Sequence, residues 1–374
     1  MRRRVTVLVV AMAVAAAVVA RHQAGTSTSG TLVLRGNMSS TAALTMTGAF
    51  SVGHAANLDW DLPVQTSSQL NGYTQHIDSI AYRFNIRPDS SSDVTVDGHP
   101  VRRFHWDAPP ANKVIRVVES LHATISSNLS PFHSNAPYPL ASLPPDAARY
   151  GQITPMTQLP PAARSFVRRF ASGHRTEQAV VDAAANWVAA NTHYSTARLN
   201  GPYDAAWVFA HHEATCQGYD NLMAGILRSL GIPAQVQYGW VAATPLKLPG
   251  PDHGTSSIQW STPGSQGELH TWLNIYFPGS GWVPFDPQRE KYFVDPRHIA
   301  FLTAQEAGTL RLGTWSAQQV DGQSPIGPNL AGGVAAIVPA DGVNSKVTVR
   351  TRDNFHVALS GVRSDVKNVL LLAR

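Results

Sequence analysis

The stretch Thr215-Cys216-Gln217-Gly218-Tyr219-Asp220-Asn221-Leu222-Met223-Ala224-Gly225-Ile226-Leu227-Arg228-Ser229-Leu230-Gly231-Ile232-Pro233-Ala234 holds the single cysteine of a 374-residue chain. Leu222, Ile226 and Leu230 lie four apart, as do Met223 and Leu227, so one apolar stripe runs along a helix. Gly231 stands where a helix C′ residue belongs, and Pro233 forbids continuation. The spacing therefore predicts a helix from about Cys216 to about Leu230. The free N–H groups and the positive dipole end of its first turn favour a thiolate, so the thiol is expected to titrate below its ordinary value of about 8.5. Read from the helix alone, a packed and inert core cysteine is the competing interpretation.

Downstream, Leu269-His270-Thr271-Trp272-Leu273-Asn274-Ile275-Tyr276-Phe277 alternates as a strand, with His270, Trp272, Asn274 and Tyr276 on one face. Pro278-Gly279-Ser280-Gly281 is a turn and Trp282-Val283-Pro284-Phe285-Asp286-Pro287 returns. A three-residue loop pairs Phe277 with Gly281 and sets Asp286 opposite Trp272, one diagonal step from His270 on the same face. A loop one residue longer would turn Asp286 to the other face. A cysteine at a helix start, with a histidine and a carboxylate side by side on a hairpin, supplies the parts of a thiol acyl-transfer site. Cys216 attacks an amide carbonyl, His270 takes the thiol proton and returns it to the leaving amine, and Asp286 fixes the imidazole tautomer. The Cys216 backbone N–H and one side-chain donor would form the oxyanion hole.

Cys-Gln-Gly-Tyr at 216–219, the helix end Leu-Arg-Ser-Leu-Gly-Ile-Pro-Ala, His-Thr-Trp-Leu-Asn at 270–274 and Gly-Trp-Val-Pro-Phe-Asp-Pro at 281–287 resemble the core of the bacterial transglutaminase-like superfamily. The likeness covers about residues 176–290, including Ala206-Trp207-Val208-Phe209-Ala210. Departures are Ala214-Thr215 before the cysteine, Thr271 where the family usually has Ala, and Gln288 where it has Thr. The resemblance implies an α+β fold with a papain-like core, the cysteine helix packed on an antiparallel sheet that carries His270 and Asp286. It also implies that Tyr194 donates to the oxyanion. More weakly, Leu58-Asp59-Trp60-Asp61-Leu62-Pro63 and Phe104-His105-Trp106 resemble the β domain that precedes this core in one exported branch. No metal or other cofactor is expected, since His211-His212-Glu213 lacks the i, i+4 spacing of a helical zinc pair.

Outward from the core, short strands at 31–34, 80–86, 93–96 and 114–118, separated by turn residues, predict a sandwich-like N-terminal β domain over 31–130. Eight prolines between 131 and 161 mark a linker or wrapping segment, the core occupies 162–290, and 291–374 forms a C-terminal extension with strands. Ala243 to Glu268 holds four prolines and four glycines and reads as a flap over the cleft. Asp252, His253 and Trp260 in the flap, with Trp272 beside His270, are candidate substrate contacts.

Arg2, Arg3 and Arg4 precede an uncharged run from Val5 to Ala20, which has the form of a secretory signal peptide or a signal anchor over 1–20. The 29 basic against 24 acidic residues give +5, which falls to +2 once the three arginines are removed, so no nucleic-acid partner is implied. One cysteine excludes an intrachain disulfide. The expectation is an exported, secreted or envelope-associated thiol enzyme acting on amide bonds of proteins or of cell-envelope peptide, with hydrolysis favoured over transamidation. Membrane attachment would come only through an uncleaved N-terminal segment. A non-catalytic envelope binding or assembly module keeping the same fold is the alternative.

Overall fold

β1 (Val33–Ser51) and β7 (Val114–Asn128) are much longer than the strands the turn residues predict, and their length organises the molecule. The computed structural model describes residues 33–96, 98–241, 246–249, 255–258, 268–288, 293–308, 314–325, 327 and 343–360. The export segment at 1–20, the start of the strand expected at 31–34, the end of the C-terminal extension after 360, and Asp252, His253 and Trp260 lie outside them.

Every second residue of β7 from Ile115 to Ser127 is buried, the period-2 signature of one sheet face turned inward. That face serves two cores. Ile115 and Val117, with Phe50 of β1, pack against Leu58, Trp60 and Leu62 of β2 (Ala55–Pro63), and against Phe104 and Trp106 of a later strand. Leu121, Ala123 and Ile125 pack instead with the helices of the central part of the chain. The remaining strands of these two sheets are β3 (Ser68–Leu70), β4 (Tyr73–Phe84), β5 (Ser90–Val96) and β6 (His99–Trp106).

The Pro-rich segment carries one helical turn, α1 (Pro145–Ala148), and wraps over the helices that follow. Next come α2 (Ala163–Ala171) and α3 (Glu177–Asn191); Thr176 Oγ1 caps α3 by accepting from Ala179 N at 3.4 Å. A short parallel pair, β8 (His193–Tyr194) and β9 (Glu213–Ala214), brackets α4 (Ala205–His211), whose cap Asp204 accepts from Trp207 N at 2.8 Å. The cysteine helix is α5 (Cys216–Ser229). Then follow β10 (Ala234–Val241), a hairpin of β11 (Leu246–Pro249) and β12 (Thr255–Ile258), β13 (Glu268–Phe277), β14 (Gly281–Phe285), β15 (His298–Ala304), β16 (Thr314–Gln319) and β17 (Val343–Ser360). The stretch read as a flap thus contains a two-stranded hairpin.

Strand pairing crosses the partition drawn from sequence. The core sheet is ordered β14-β13-β10-β15, so β15, beyond residue 290, is one of its edges. β16 pairs with β2, and β17 pairs antiparallel with β1 along nearly its whole length, giving sheets ordered β16-β2-β6-β5 and β17-β1-β7-β4-β3. The described strands after residue 291 thus pair with sheets built from earlier parts of the chain. Each of them covers an edge whose N–H and C=O groups would otherwise be unpaired.

Glu119 lies between the two cores on the buried face of β7, and neither carboxylate oxygen forms a well-aligned hydrogen bond. Burial pushes its pKa from 4.5 up to about 8, with Gln65 opposing. A carboxyl whose folded-state pKa is raised costs stability as pH climbs from its unfolded value to its folded one. Glu119→Gln is therefore expected to gain a few kcal/mol at pH 8, at about 1.4 kcal/mol for each tenfold change in proton affinity, and almost nothing at pH 4.5. Urea melts of both proteins at the two pH values test this; an equal change at both would contradict it.

Candidate active site

The cysteine helix is fixed at both ends by polar contacts that its sequence supplies. Its C-terminus closes as a Schellman motif, with Ile232 N donating to Leu227 O and Gly231 N to Arg228 O, both at 3.0 Å, and Gly231 at φ +76°. Arg228, almost fully buried in the last turn, donates to Ala234 O, to Gln152 O and to Gln305 O, where it meets the negative helix end. Gly225 gives the Pro-rich segment room, because a Cβ there would lie 2.3 Å from Thr157 O. Asn221 donates to Tyr203 O and Ala307 O and accepts from Ala307 N, locking the N-terminal half. These bonds leave little freedom in where Cys216 stands.

Cys216 heads this helix with intermediate exposure, and the packing around it decides its chemistry. Burial, and after it the Asp220 carboxyl one turn along, push the thiol up to about 11; the Thr271 hydroxyl and amide and the Gln217 amide pull the other way. The expectation of a depressed thiol pKa is therefore corrected. The dipole of the first turn is outweighed by desolvation, which disfavours the charged form more strongly in a packed site. Asp220 is itself fully buried, and burial raises its pKa well above the usual carboxylate range. Thr271 stands beside both groups without forming a well-aligned hydrogen bond to either oxygen of Asp220. Cys216 thus approaches β13 at the residue next to His270.

On the hairpin the loop is three residues long. Phe277 pairs with Gly281 and Leu273 with Phe285, a register that sets Asp286 opposite Trp272. His270 Nε2–H donates to Asp286 Oδ2 at 2.8 Å, with both side chains buried, and Asp286 Oδ1 accepts from Gln288 N at 3.0 Å. Asp286 is also within electrostatic reach of Asp220 and of Tyr219 on α5. Trp272 is 1% exposed and packs 6.2 Å from the His270 ring. It can do so because Gly239 of β10, opposite His270, has no Cβ; one built there would be 2.2 Å from the Trp272 ring. Trp272 is thus a wall behind the imidazole and not an open cleft residue.

Tyr194 is 46% exposed and pairs across β8–β9 with Ala214, two residues before Cys216. That places an accessible phenol near the start of the cysteine helix.

Two residues of this neighbourhood, Asp220 and His298, were not singled out from the sequence. Asp220 stands at i+4 from Cys216, so the helix period alone marks it as a neighbour of the thiol. His298, at the start of β15, is fully buried with its ring 5.5 Å from that of His270 and 5.2 Å, edge-on, from that of Trp272. Nothing in its spacing links it to the hairpin. His270, Asp286 and His298 offer ligand atoms within 4.8 Å of one another, a donor set that suits a divalent cation. A cation there would have to displace the 2.8 Å hydrogen bond between His270 and Asp286.

Residues 164–287 match the model of the transglutaminase-like superfamily core. The uncharacterized protein YebA of Bacillus subtilis (strain 168) is 27% identical over 167 residues, which is 43% of this chain and 21% of YebA. The match thus spans about a fifth of that relative's length. A crystal structure from Cytophaga hutchinsonii, described as a "putative cysteine protease", aligns with 89% of this chain and 94% of its own at TM-score 0.51 and 13% identity, a likeness of fold. Its few helices and several antiparallel sheets are consistent with a transglutaminase-like fold, and residues 164–287 match a transglutaminase-like core domain.

Proposed function

We propose that this protein is an exported thiol enzyme that cleaves or transfers amide bonds of proteins or envelope peptides through Cys216, His270 and Asp286, in a papain-like arrangement of cysteine helix and sheet. The observation that carries the reading is the buried 2.8 Å hydrogen bond between His270 and Asp286 on a sheet against which Cys216 is held. A buried imidazole–carboxylate pair has one tautomer and one orientation, which is what a general base next to a thiol needs.

Burial favours the protonated form of the resting thiol, which loses its proton as it attacks. His270 takes that proton while sulfur adds to the amide carbon. The tetrahedral oxyanion is met by the Cys216 N–H, which has no acceptor within the first turn of the helix, and by the Tyr194 phenol. Collapse breaks the C–N bond, and His270 returns the proton to the leaving amine. Water, or a second amine, then attacks the thioester, His270 again taking and returning a proton, and the thiol is restored. Hydrolysis is the favoured outcome, and the flap with Asp252, His253 and Trp260 is the segment proposed to border the acyl-donor cleft and influence substrate choice. The export assignment rests on the charged and apolar pattern of residues 1–20.

The elevated thiol pKa favours a second reading, a non-catalytic envelope module whose cysteine is only packed. One experiment separates them. Denatured casein and a labelled primary amine are incubated with the wild type and with Cys216→Ala. Fragments or incorporated label that vanish in the variant support the enzyme, and their ratio distinguishes hydrolysis from transamidation. Neither product with the wild type supports the module.

A further inference from the structure

We infer that His270, Asp286 and His298 form an inhibitory zinc site, in which one Zn2+ takes the place of the proton that His270 shares with Asp286 and so withdraws the general base. The inhibition rests on the proposed thiol chemistry; the binding of the cation does not.

His298 has the surroundings of a metal ligand. Its Nδ1 faces the Asp295 carbonyl oxygen at 3.1 Å and Asp295 Oδ1 at 3.3 Å. A carbonyl oxygen can only accept, so Nδ1 carries the proton of the neutral ring and Nε2 carries the lone pair. An acceptor on the far nitrogen is what fixes the tautomer and orientation of a metal-binding imidazole. The lone pair stands 4.0 Å from Asp286 Oδ2, itself an acceptor. That gap is too long for a hydrogen bond and suits a cation between the two atoms. His270 Nε2 lies 2.8 Å from the same oxygen, and the ligand atoms of all three residues fall within 4.8 Å of one another. A point equidistant from three atoms so spaced is no more than roughly 2.4 Å from each, against about 2.0–2.2 Å for zinc bonds to imidazole and carboxylate. Small side-chain shifts therefore close the site. Two imidazoles and one carboxylate leave zinc a fourth, tetrahedral position for water.

Charge and rigidity point the same way. Asp286 faces one nitrogen of His298 and Asp295 the other, both fully buried, and the equally buried Asp220 is within electrostatic reach of Asp286. These carboxyl groups outnumber the buried guanidinium of Arg297 on the same segment. The strand that carries His298 is held by β4. Tyr73 OH donates to the His298 carbonyl at 2.7 Å, and the Gln75 side chain donates to Ala300 O and accepts from Ala300 N, both at 2.8 Å. Tyr73 and Gln75 are each 2% exposed, so water does not compete for these bonds. When zinc binds, the His270 proton moves from Nε2 to Nδ1 and the Nε2 lone pair goes to the metal. The ring stays neutral, but neither nitrogen can then take the thiol proton.

The test titrates the full chain with zinc, at equilibrium because the three ligands are buried, and follows binding by competition with a chromophoric chelator. The wild type is expected to bind one zinc per chain and Cys216→Ala to bind it within about threefold as tightly. His298→Asn, whose amide keeps the contact with Asp295 but leaves nothing at the position of Nε2, is expected to bind at least ~100-fold more weakly, since loss of an outer-shell partner alone costs about 10- to 100-fold. Saturating zinc is expected to slow iodoacetamide alkylation of Cys216 at pH 8 by about 100-fold, the low end of what a general base contributes, and EDTA to restore it. Cobalt(II) in the wild type is expected to show the visible bands of a tetrahedral nitrogen and oxygen site without a thiolate charge-transfer band, a readout that stands even if His298→Asn fails to fold. No zinc bound, binding lost in Cys216→Ala, a thiolate band, or wild-type affinity in a folded His298→Asn each overturns the inference. If zinc binds as expected but neither it nor His270→Ala alters alkylation, the site stands and the thiol-enzyme reading fails. If His270→Ala slows alkylation and zinc does not bind, the reading stands and the site is refuted.

Discussion

Replacing His270 by alanine is expected to lower turnover ~1,000-fold, because general-base assistance is worth about 100- to 10,000-fold and a thiol pushed up by burial depends on it at neutral pH. The same substitution is expected to weaken the fold. It removes the donor 2.8 Å from a fully buried carboxylate, and breaking a buried pair from one side costs about 3–5 kcal/mol. The loss depends on pH. A carboxylate stripped of its donor in a buried site recovers by taking up a proton, so its pKa rises and the penalty grows from pH 5 to pH 8. Steady-state assays on casein and urea melts at both pH values measure the two effects. A variant with wild-type turnover would remove His270 from the chemistry, and one with a pH-independent melt would mean that Asp286 is stabilised mainly by other groups.

Gly239→Ala, at a position with no chemistry of its own, is expected to cost ~3 kcal/mol or more and to impair Cys216 reactivity as well. The added Cβ would lie 2.2 Å from the Trp272 ring and 2.5 Å from the Ile299 carbonyl oxygen. The carbonyl belongs to a paired strand, so the ring has to give way, and overpacking a tight core costs about 1–3 kcal/mol and occasionally more. Trp272 touches the rings of both His270 and His298, so its displacement carries the strain into the hydrogen bond with Asp286. Thermal unfolding and iodoacetamide alkylation of the same preparation test this. An alanine variant that melts and alkylates like the wild type would show that the core accommodates the methyl group without moving the indole.

The parts of the site that were legible in the sequence are those fixed by local geometry. Period-2 alternation and a three-residue turn determine the register of β13 and β14, hence the face on which Asp286 stands relative to His270. Gly231 and Pro233 determine where α5 stops, and the unwound Thr215 where it starts. What was not legible depends on contacts far apart in the chain. The thiol pKa was expected in the wrong direction because a helix end is a local property while desolvation belongs to the packed molecule. The pairing of β17 with β1 joins segments some three hundred residues apart, and no local pattern announces it. His298 enters the site only because β15 lies beside β10, with Val241 opposite it. Asp220 was in plain view within the quoted helix, yet a carboxyl on a helix is ordinarily solvated, and only burial makes it part of the thiol's environment.

The proposed chemistry requires Cys216 to be a nucleophile served by His270 and Asp286. Its most direct test is intact-mass spectrometry of the protein after brief exposure to a peptide p-nitrophenyl ester, followed by peptide mapping. The expected result is a single acyl group on Cys216, labile to hydroxylamine as a thioester is, formed at least ~100-fold more slowly in His270→Ala. Absence of the adduct, or an adduct on another residue that persists in Cys216→Ala, would contradict the account.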